Sequence, residues 1–439
     1  MRKAITALAA SLALGLPAAA GAGVFDSFGY DPRGVGMGGA QVASADDYSA
    51  SYFNPALLVL QDKVSFGYGF NWTQPRLMVR ANDPARAGDL RSPETPSNFN
   101  GWSLGVLFPL GGKVSNRLAL GIGLYLPSNN VLRTEATDPR IPSWYFYQSG
   151  PERIIVSASA GARITDWLSI GAGAQILGAL IGGFNFDLNL FSKQFEGRAL
   201  RADLETRVAP LAGIALDFKP IGLRFGFNYR GAIASDYRLP TVFNLTDIGV
   251  IELVMEGVSH YSPDTFSAGV QYRIGAFVGT AEVRYARWSK APDPSTKVTL
   301  NVDGQALESL GIEDQFDIEG SSGPPGFLDT LSTHTGAEYW IVDGRFAVRA
   351  GYSFRPTPVP QQIGDSNILD GDTHGVSLGL AFSFDDPLEI FGNPIHIEAA
   401  GQRLIIGERE AKKAQDDEVP SYKYSGAVNA VTVAVRYVF

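Results

Sequence analysis

The sequence predicts an all-β fold: a 14-stranded antiparallel transmembrane β-barrel with an N-terminal plug, or hatch, in its lumen. Three observations carry that prediction. An export signal is followed by no helical span, apolar residues recur with a period of two, and the connectors between those stretches alternate between short and long.

Met1 to Ala22 reads as a secretory signal. Arg2 and Lys3 form the positive start, Ala4 to Leu16 the apolar core, and Ala18-Ala19-Ala20-Gly21-Ala22 a small-residue cleavage region. The apolar run is shorter than the roughly 20 residues of a spanning helix. Leu168 to Phe184 is uncharged for 17 residues but holds five glycines, so a glycine-rich strand fits better than a helix. An exported chain without a spanning helix crosses a membrane only as a closed barrel. The composition agrees, with 50 glycines and only 18% charged residues against about 25% in average proteins. Loss of Arg2 and Lys3 takes the formal net charge from −9 to −11, which disfavours a nucleic-acid partner. The absence of cysteine excludes disulfides and thiolate metal sites.

The period-two signal is clearest in three segments. From Val64 to Trp72 every even position is apolar and every odd one small or polar. Leu223, Phe225, Phe227 and Tyr229 alternate with Arg224, Gly226, Asn228 and Arg230; Phe346 to Phe354 alternate in the same way with Arg345 to Arg355. A helix would scatter those arginines, whereas a strand sends them to one face. On this basis strands are expected near 63–73, 100–109, 117–127, 153–163, 166–182, 203–218, 221–233, 263–274, 276–289, 332–340, 345–355, 373–384, 394–407 and 426–439. Long polar loops fall near 74–99, 128–152, 183–202, 234–262, 290–331, 356–372 and 408–425, with short turns between the alternate pairs. Short periplasmic turns and long extracellular loops are the arrangement of outer-membrane barrels, and an even strand number leaves both chain ends in the periplasm. In the last strand Val431, Val433, Val435, Tyr437 and the terminal Phe439 share one apolar face, and the terminal phenylalanine resembles the signal read by the barrel assembly machinery.

Residues 23–62 lack alternation and are rich in glycine, with Asp46-Asp47 and Asn54-Pro55-Ala56. Tyr30, Tyr48, Tyr52 and Phe53 are unusual in a disordered tail. A plug inside the lumen is therefore expected over 23–62, with the barrel over 63–439.

These residues resemble the long-chain fatty acid transporter family of outer-membrane proteins (FadL-type), which includes toluene and xylene uptake channels. The stretch from Gly34 through Ala45-Asp46-Asp47 to Asn54-Pro55-Ala56-Leu57 is similar to the family's hatch. Arg349-Ala350-Gly351-Tyr352 through Pro358-Val359-Pro360, with Asp372-Thr373-His374, resembles a second family stretch. Tyr261-Ser262-Pro263-Asp264 through Trp288-Ser289 is a third. The resemblance implies that a hydrophobic ligand binds near the extracellular loops, passes to an interior site, and leaves sideways into the membrane. Hatch movement and a kink in the third strand would open that path. Asn54, Pro55, Ala56, Gly121 and Gly123 would then be gating residues. A similar leader occurs in a barrel family associated with protein secretion.

Extending the alternation places Arg224, Arg230, Arg273, Arg284, Arg349 and Arg436 in the lumen with Glu282. Arg224, Arg284 and Arg349 are candidates for a ligand carboxylate, since guanidinium binds it bidentately; the competing role is to brace the wall against acidic neighbours. Trp144, Tyr145 and Phe146, followed by Tyr147, are candidates for an apolar uptake patch, with a membrane-interface belt as the alternative. Gly34, Gly36 and Gly39 satisfy a dinucleotide-loop pattern but follow no strand. Two G-x-S-x-G matches, at Gly101 and Gly375, lie inside alternating strands where no nucleophile elbow forms. His260, His334, His374 and His396 show no metal-ligand spacing.

A monomeric passive transporter in the bacterial outer membrane is expected, with no cofactor, no metal and no enzymatic activity. Its partners would be a hydrophobic ligand, outer-membrane lipid and lipopolysaccharide. Long-chain fatty acids are the leading substrate, aromatic hydrocarbons the alternative. A barrel scaffolding a secretion complex, and a lipase, are the other classes.

Overall fold

The computed structural model describes residues 29–90, 96–128, 140–147, 153–189, 194–245, 249–303, 315–318, 325–364, 366–387, 392–415 and 417–439. The signal expected over 1–22 and the first residues of the plug lie outside these.

Among the described residues, eighteen strands follow a short N-terminal region. They are β1 (Ser65–Ala81), β2 (Phe99–Pro109), β3 (Leu118–Pro127), β4 (Ile155–Arg163), β5 (Leu168–Asn189), β6 (Gln194–Phe218), β7 (Leu223–Arg230), β8 (Ile233–Leu245), β9 (Gly249–Ser262), β10 (Thr265–Ile274), β11 (Phe277–Ala286), β12 (Lys297–Asp303), β13 (Gln315–Ile318), β14 (Thr330–Val342), β15 (Phe346–Arg355), β16 (Thr373–Phe384), β17 (Ile395–Ala411) and β18 (Tyr422–Val438). Fourteen of them close into an antiparallel ring. β7 pairs with β10, β11 with β14, and β1 with β18. The expected fourteen wall strands are these fourteen. The other four correct two segments read as loops: β8 and β9 form a hairpin within 234–262, and β12 pairs with β9 and β13 within 290–331.

Long wall strands also continue outward into expected loops, β1 to Ala81 and β17 to Ala411. Once a hairpin is nucleated by the apolar belt, polar residues can prolong its ladder without any apolar alternation to mark them. β8 lies parallel to the far end of β5, with Phe184 opposite Thr241. β6 occupies the other edge of β5, so the β8–β9 hairpin reaches across from β7 to β5 over the mouth of the barrel.

The period-two pattern sorts the side chains as lipid requires. Ile122, Leu378 and Phe382 point outward and are more than half exposed, whereas Ser103, Ser157 and Thr432 on the opposite face are buried. Aromatic residues stack on the outer surface, including Tyr68 on Trp102 at 5.2 Å and Trp167 on Phe218 at 6.2 Å. No helix among the described residues is long and apolar enough to cross a membrane.

Candidate functional site

Residues 29–62 fold inside the ring. Pro32–Gly36 form a helical turn (α1) started by Asp31, whose carboxylate accepts from the Gly34 amide at 2.6 Å. Ala50–Phe53 form a second (α2), and Pro55–Leu60 a 3-10 turn. Asn54 joins the last two. Its side chain accepts from the Ala56 amide at 3.1 Å and donates to the Val42 carbonyl at 2.7 Å and to the Ile214 carbonyl of β6 at 3.1 Å. Pro55 at the first position of the turn costs no backbone hydrogen bond. Asn54, Pro55 and Ala56 thus tie the two halves of the plug to each other and to the wall.

The wall receives the plug on a belt of glycines. Gly67 and Gly105 flank the Tyr48 ring, and a Cβ on Gly171 would lie 2.3 Å from the Pro55 carbonyl carbon. Gly121 and Gly123 belong to this belt: added methyl carbons there would meet the Leu58 side chain at 2.5 Å and the Tyr30 hydroxyl at 1.9 Å. β3, which carries them, pairs in unbroken register with β2 and β4. In this structure the two glycines admit the plug, and the wall beside them is closed.

The strongest polar contact is a closed ring of six alternating charges. Arg33 of the plug meets Asp46 at 3.7 Å and Glu338 of β14 at 3.0 Å; Glu338 accepts from Arg349 of β15 at 2.7 Å. Arg349 donates to Glu398 of β17 at 2.7 Å, Glu398 lies 3.6 Å from Arg436 of β18, and Arg436 lies 3.6 Å from Asp46. Three guanidiniums face three carboxylates, so each charge has opposite neighbours on both sides, with Asp46 and Arg436 the partly exposed members. Glu282 of β11 extends the contact by accepting from the Gln41 and Val42 amides at 2.7 and 2.9 Å, while Arg284 holds that carboxylate at 2.6 Å.

Of the arginines assigned to ligand, Arg224 pairs with Asp217 at 3.1 Å, Arg284 with Glu282, and Arg349 with Glu338 and Glu398. All three brace the wall or the plug. Arg273 stands exposed at the periplasmic rim rather than in the lumen. The ring acids Glu338 and Glu398 and the plug residues Arg33 and Asp46 were not foreseen. A glutamate on the inward phase of a strand needs a buried cation, and that is the signal that could have found Glu338.

The aromatic run of the second long loop turns inward. Trp144 is fully buried against Tyr147 and Tyr424, Phe146 packs on Trp288 at 5.0 Å and Phe327 at 5.9 Å, and Tyr145 on Phe146 at 5.4 Å. Arg355 fastens this loop by donating to the Tyr147 hydroxyl at 2.9 Å and to Asp370 at 2.7 Å. Ser143 exchanges backbone hydrogen bonds with Asn367 and Leu369 at 2.9 and 2.8 Å. An exposed patch is not what forms; the three candidates line the filled mouth, because apolar rings in a wide barrel gain more by packing together than by facing water.

Two plug carboxyls differ in charge. Burial opposes ionisation of Asp46, yet Arg33 and Arg436 hold it below the usual range. Burial, with Asp31 close by, pushes Asp47 up to about 7 against the pull of Arg436. A free aspartate titrates at about 4, so the seated plug takes up a proton at Asp47 that a released plug does not. For this group seating is most favourable at low pH and weakens as pH rises from about 4 through 7. Amide exchange in Ser49–Phe53, corrected for its intrinsic pH dependence, should be slower at pH 6 than at pH 8, and Asp47→Asn should flatten the difference. An unchanged difference in that variant would place the effect elsewhere.

A closed fourteen-strand wall with a glycine-seated, ion-paired plug and an aromatic mouth defines a plugged outer-membrane transport barrel. Residues 261–439 match the family described as outer membrane protein transport protein (OMPP1/FadL/TodX). Over 422 residues, 88% of this chain and 89% of the relative, the sequence is 22% identical to the long-chain fatty acid transport protein of Escherichia coli O6:H1 strain CFT073. The fold resembles the Pseudomonas putida toluene transporter TodX, with a TM-score of 0.58 at 16% identity, covering 94% of this chain and 99% of that one. It also resembles the Ralstonia pickettii toluene transporter TbuX, with a TM-score of 0.52 at 16% identity over 95% and 100% of the two chains. The chain is an outer-membrane barrel for transport of hydrophobic compounds that is similar to the FadL-type proteins, the family match itself lying in residues 261–439. That family is one of transport channels rather than enzymes.

Proposed function

We propose that the protein passes long-chain fatty acids passively across the outer membrane, as a monomer, with the hatch as gate and lateral release into the bilayer. The observation that carries the reading is the seated plug: the glycine belt lets it lie against the wall, so transit requires it to move. The filled aromatic mouth supplies an apolar first site for a chain. Arg153 lies buried in that mouth, donating to the Ser235 and Ser259 hydroxyls at 2.7 and 2.9 Å, where a carboxylate headgroup would be received. The name of the curated relative supports the same substrate class. Lateral release would use the wall beside Gly121 and Gly123. Removal of residues 1–22 as an export signal would precede insertion by the assembly machinery into the membrane, where the loops would meet lipopolysaccharide.

A second reading is uptake of neutral aromatic hydrocarbons. It is favoured by the neutralisation of Arg224, Arg284 and Arg349 by wall acids, which leaves those positions without a claim on an anionic cargo. Uptake of oleate and of toluene by a deletion strain, with and without the gene restored, separates the two. Phe146→Ala is expected to slow uptake of the true substrate several-fold while leaving the barrel's heat-resistant migration unchanged. Normal uptake of both compounds by the deletion strain would sink the transport reading, and co-purification with a stable periplasmic partner would favour a scaffold.

A further inference from the structure

The two halves of the plug are held by different chemistry on different sides of the barrel. Pro32 to Asp46 lies against β7, β10, β11 and β14–β18, where glycine faces at Gly226, Gly269, Gly336, Gly351 and Gly379 adjoin partners that are ionised or strongly polar. Arg33 and Asp46 complete the six-charge ring, Glu282 takes two amides, Arg284 donates to the Gly39 carbonyl at 3.3 Å, and His334 bonds the Gly38 carbonyl at 2.8 Å. Tyr48 to Leu60 lies against β1–β6, where the polar contacts are mostly neutral and small. Ser51 and Ser157 hydroxyls meet at 2.7 Å, Ser159 donates to the Ser51 carbonyl at 2.7 Å, and Asn54 reaches the Ile214 carbonyl. Glycine faces and apolar packing of Leu57 and Leu58 add to these; Tyr48 reaches the Ser103 hydroxyl at 3.4 Å, Arg163 donates to the Val59 carbonyl and Arg230 rests 4.4 Å above the Tyr52 ring.

Removing a plug residue from the ring would strand buried charges, whereas lifting Ser51 from Ser157 and Ser159 exposes neutral hydroxyls that water can serve, at the cost of the apolar contacts of Leu57 and Leu58. We infer that the plug opens as a hinged flap, with Pro32–Asp46 as the fixed leaf clamped by the charge ring and Ser49–Leu60 as the moving leaf that uncovers the lumen beside β3–β6. Arg33, Asp46, Glu338, Arg349, Glu398 and Arg436 are then positioning residues of the gate. The Asp47–Tyr48 junction, and the Asn54 side-chain bond to the Val42 carbonyl, are where the two leaves part.

The inference rests on the transport reading, and the natural lack of cysteine allows both to be tested with engineered disulfides. One pair, S51C with S157C, staples the moving leaf. The other, G36C with G379C, staples the fixed leaf, where a Cβ on Gly36 would lie 3.2 Å from the Gly379 Cα. Oxidation of the first is expected to abolish oleate or toluene uptake, with recovery on reduction, and oxidation of the second to leave uptake unchanged. The reverse result, or a block by both, overturns the hinge; a block by neither overturns gating by the plug altogether. Should the parent protein transport neither compound, the transport reading fails by itself. The hinge is then judged by native-state amide exchange of the intact barrel, where Ser49–Leu60 must open more readily than Pro32–Asp46. Equal or inverted protection overturns it.

Discussion

Glu338→Ala is expected to loosen the first half of the plug by about 3–5 kcal/mol, because removing one member of a buried ion cluster leaves its partners charged and underpaired. Glu338 is buried between Arg33 and Arg349 and is the single group through which the plug's arginine reaches β14. After the change Arg33 keeps its bond to the Ser44 carbonyl within the plug and the longer contact to Asp46, and Arg349 keeps Glu398. Amide exchange over Pro32–Asp46 should accelerate by two orders of magnitude or more, since about 1.4 kcal/mol corresponds to each tenfold. Cells carrying the variant should become sensitive to large hydrophilic antibiotics that the seated plug excludes. Exchange at the parent rate would mean that the ring does not hold the plug. Glu338→Gln, which retains oxygen and volume, should fall between the two.

Gly171→Val is the second large effect, and its cause is space rather than charge. A Cβ at this position would lie 2.3 Å from the Pro55 carbonyl carbon and 2.5 Å from the Ala56 nitrogen. Both neighbours are backbone, so no side chain can rotate out of the way. Overpacking of this kind costs about 1–3 kcal/mol where a core can adjust, and here the 3-10 turn must leave the wall. Asn54 would then lose the Ile214 carbonyl, and protease added from the periplasmic side should cut within Pro55–Leu60. Gly111→Val is the matched control, because nothing lies within 4 Å of a Cβ there. Equal protease resistance in both variants would show that the belt is not the seat of the plug.

Much of the wall was legible in the sequence. Fourteen strands, their inward and outward faces, and the position of each short turn follow from alternation, because a strand in lipid must present one face to hydrocarbon and the other to the lumen. The leader was legible as a plug for a weaker reason, its tyrosines and glycines without periodicity. Residues 29–62 do lie in the lumen, and Asn54, Pro55 and Ala56 do sit at a junction. The roles of the lumen arginines were not legible. Alternation assigns Arg349 to the interior but cannot say whether it meets a ligand or Glu338, since that depends on which strands become neighbours. The inward turn of Trp144 to Phe146 was equally hidden: an aromatic run in a loop reads the same whether it faces membrane, water or the packed mouth.

The barrel, its strand number and the presence of material inside it thus follow from residue order alone, because they depend on local periodicity and the chemistry of lipid. What holds that material in place depends on contacts that exist only once the ring has closed. Arg33 and Glu338 are 305 residues apart, and they meet because closing the ring of strands brings β14 over the plug. Such a pairing is set by barrel closure and by a glycine belt distributed over many strands, neither of which any short stretch of sequence contains.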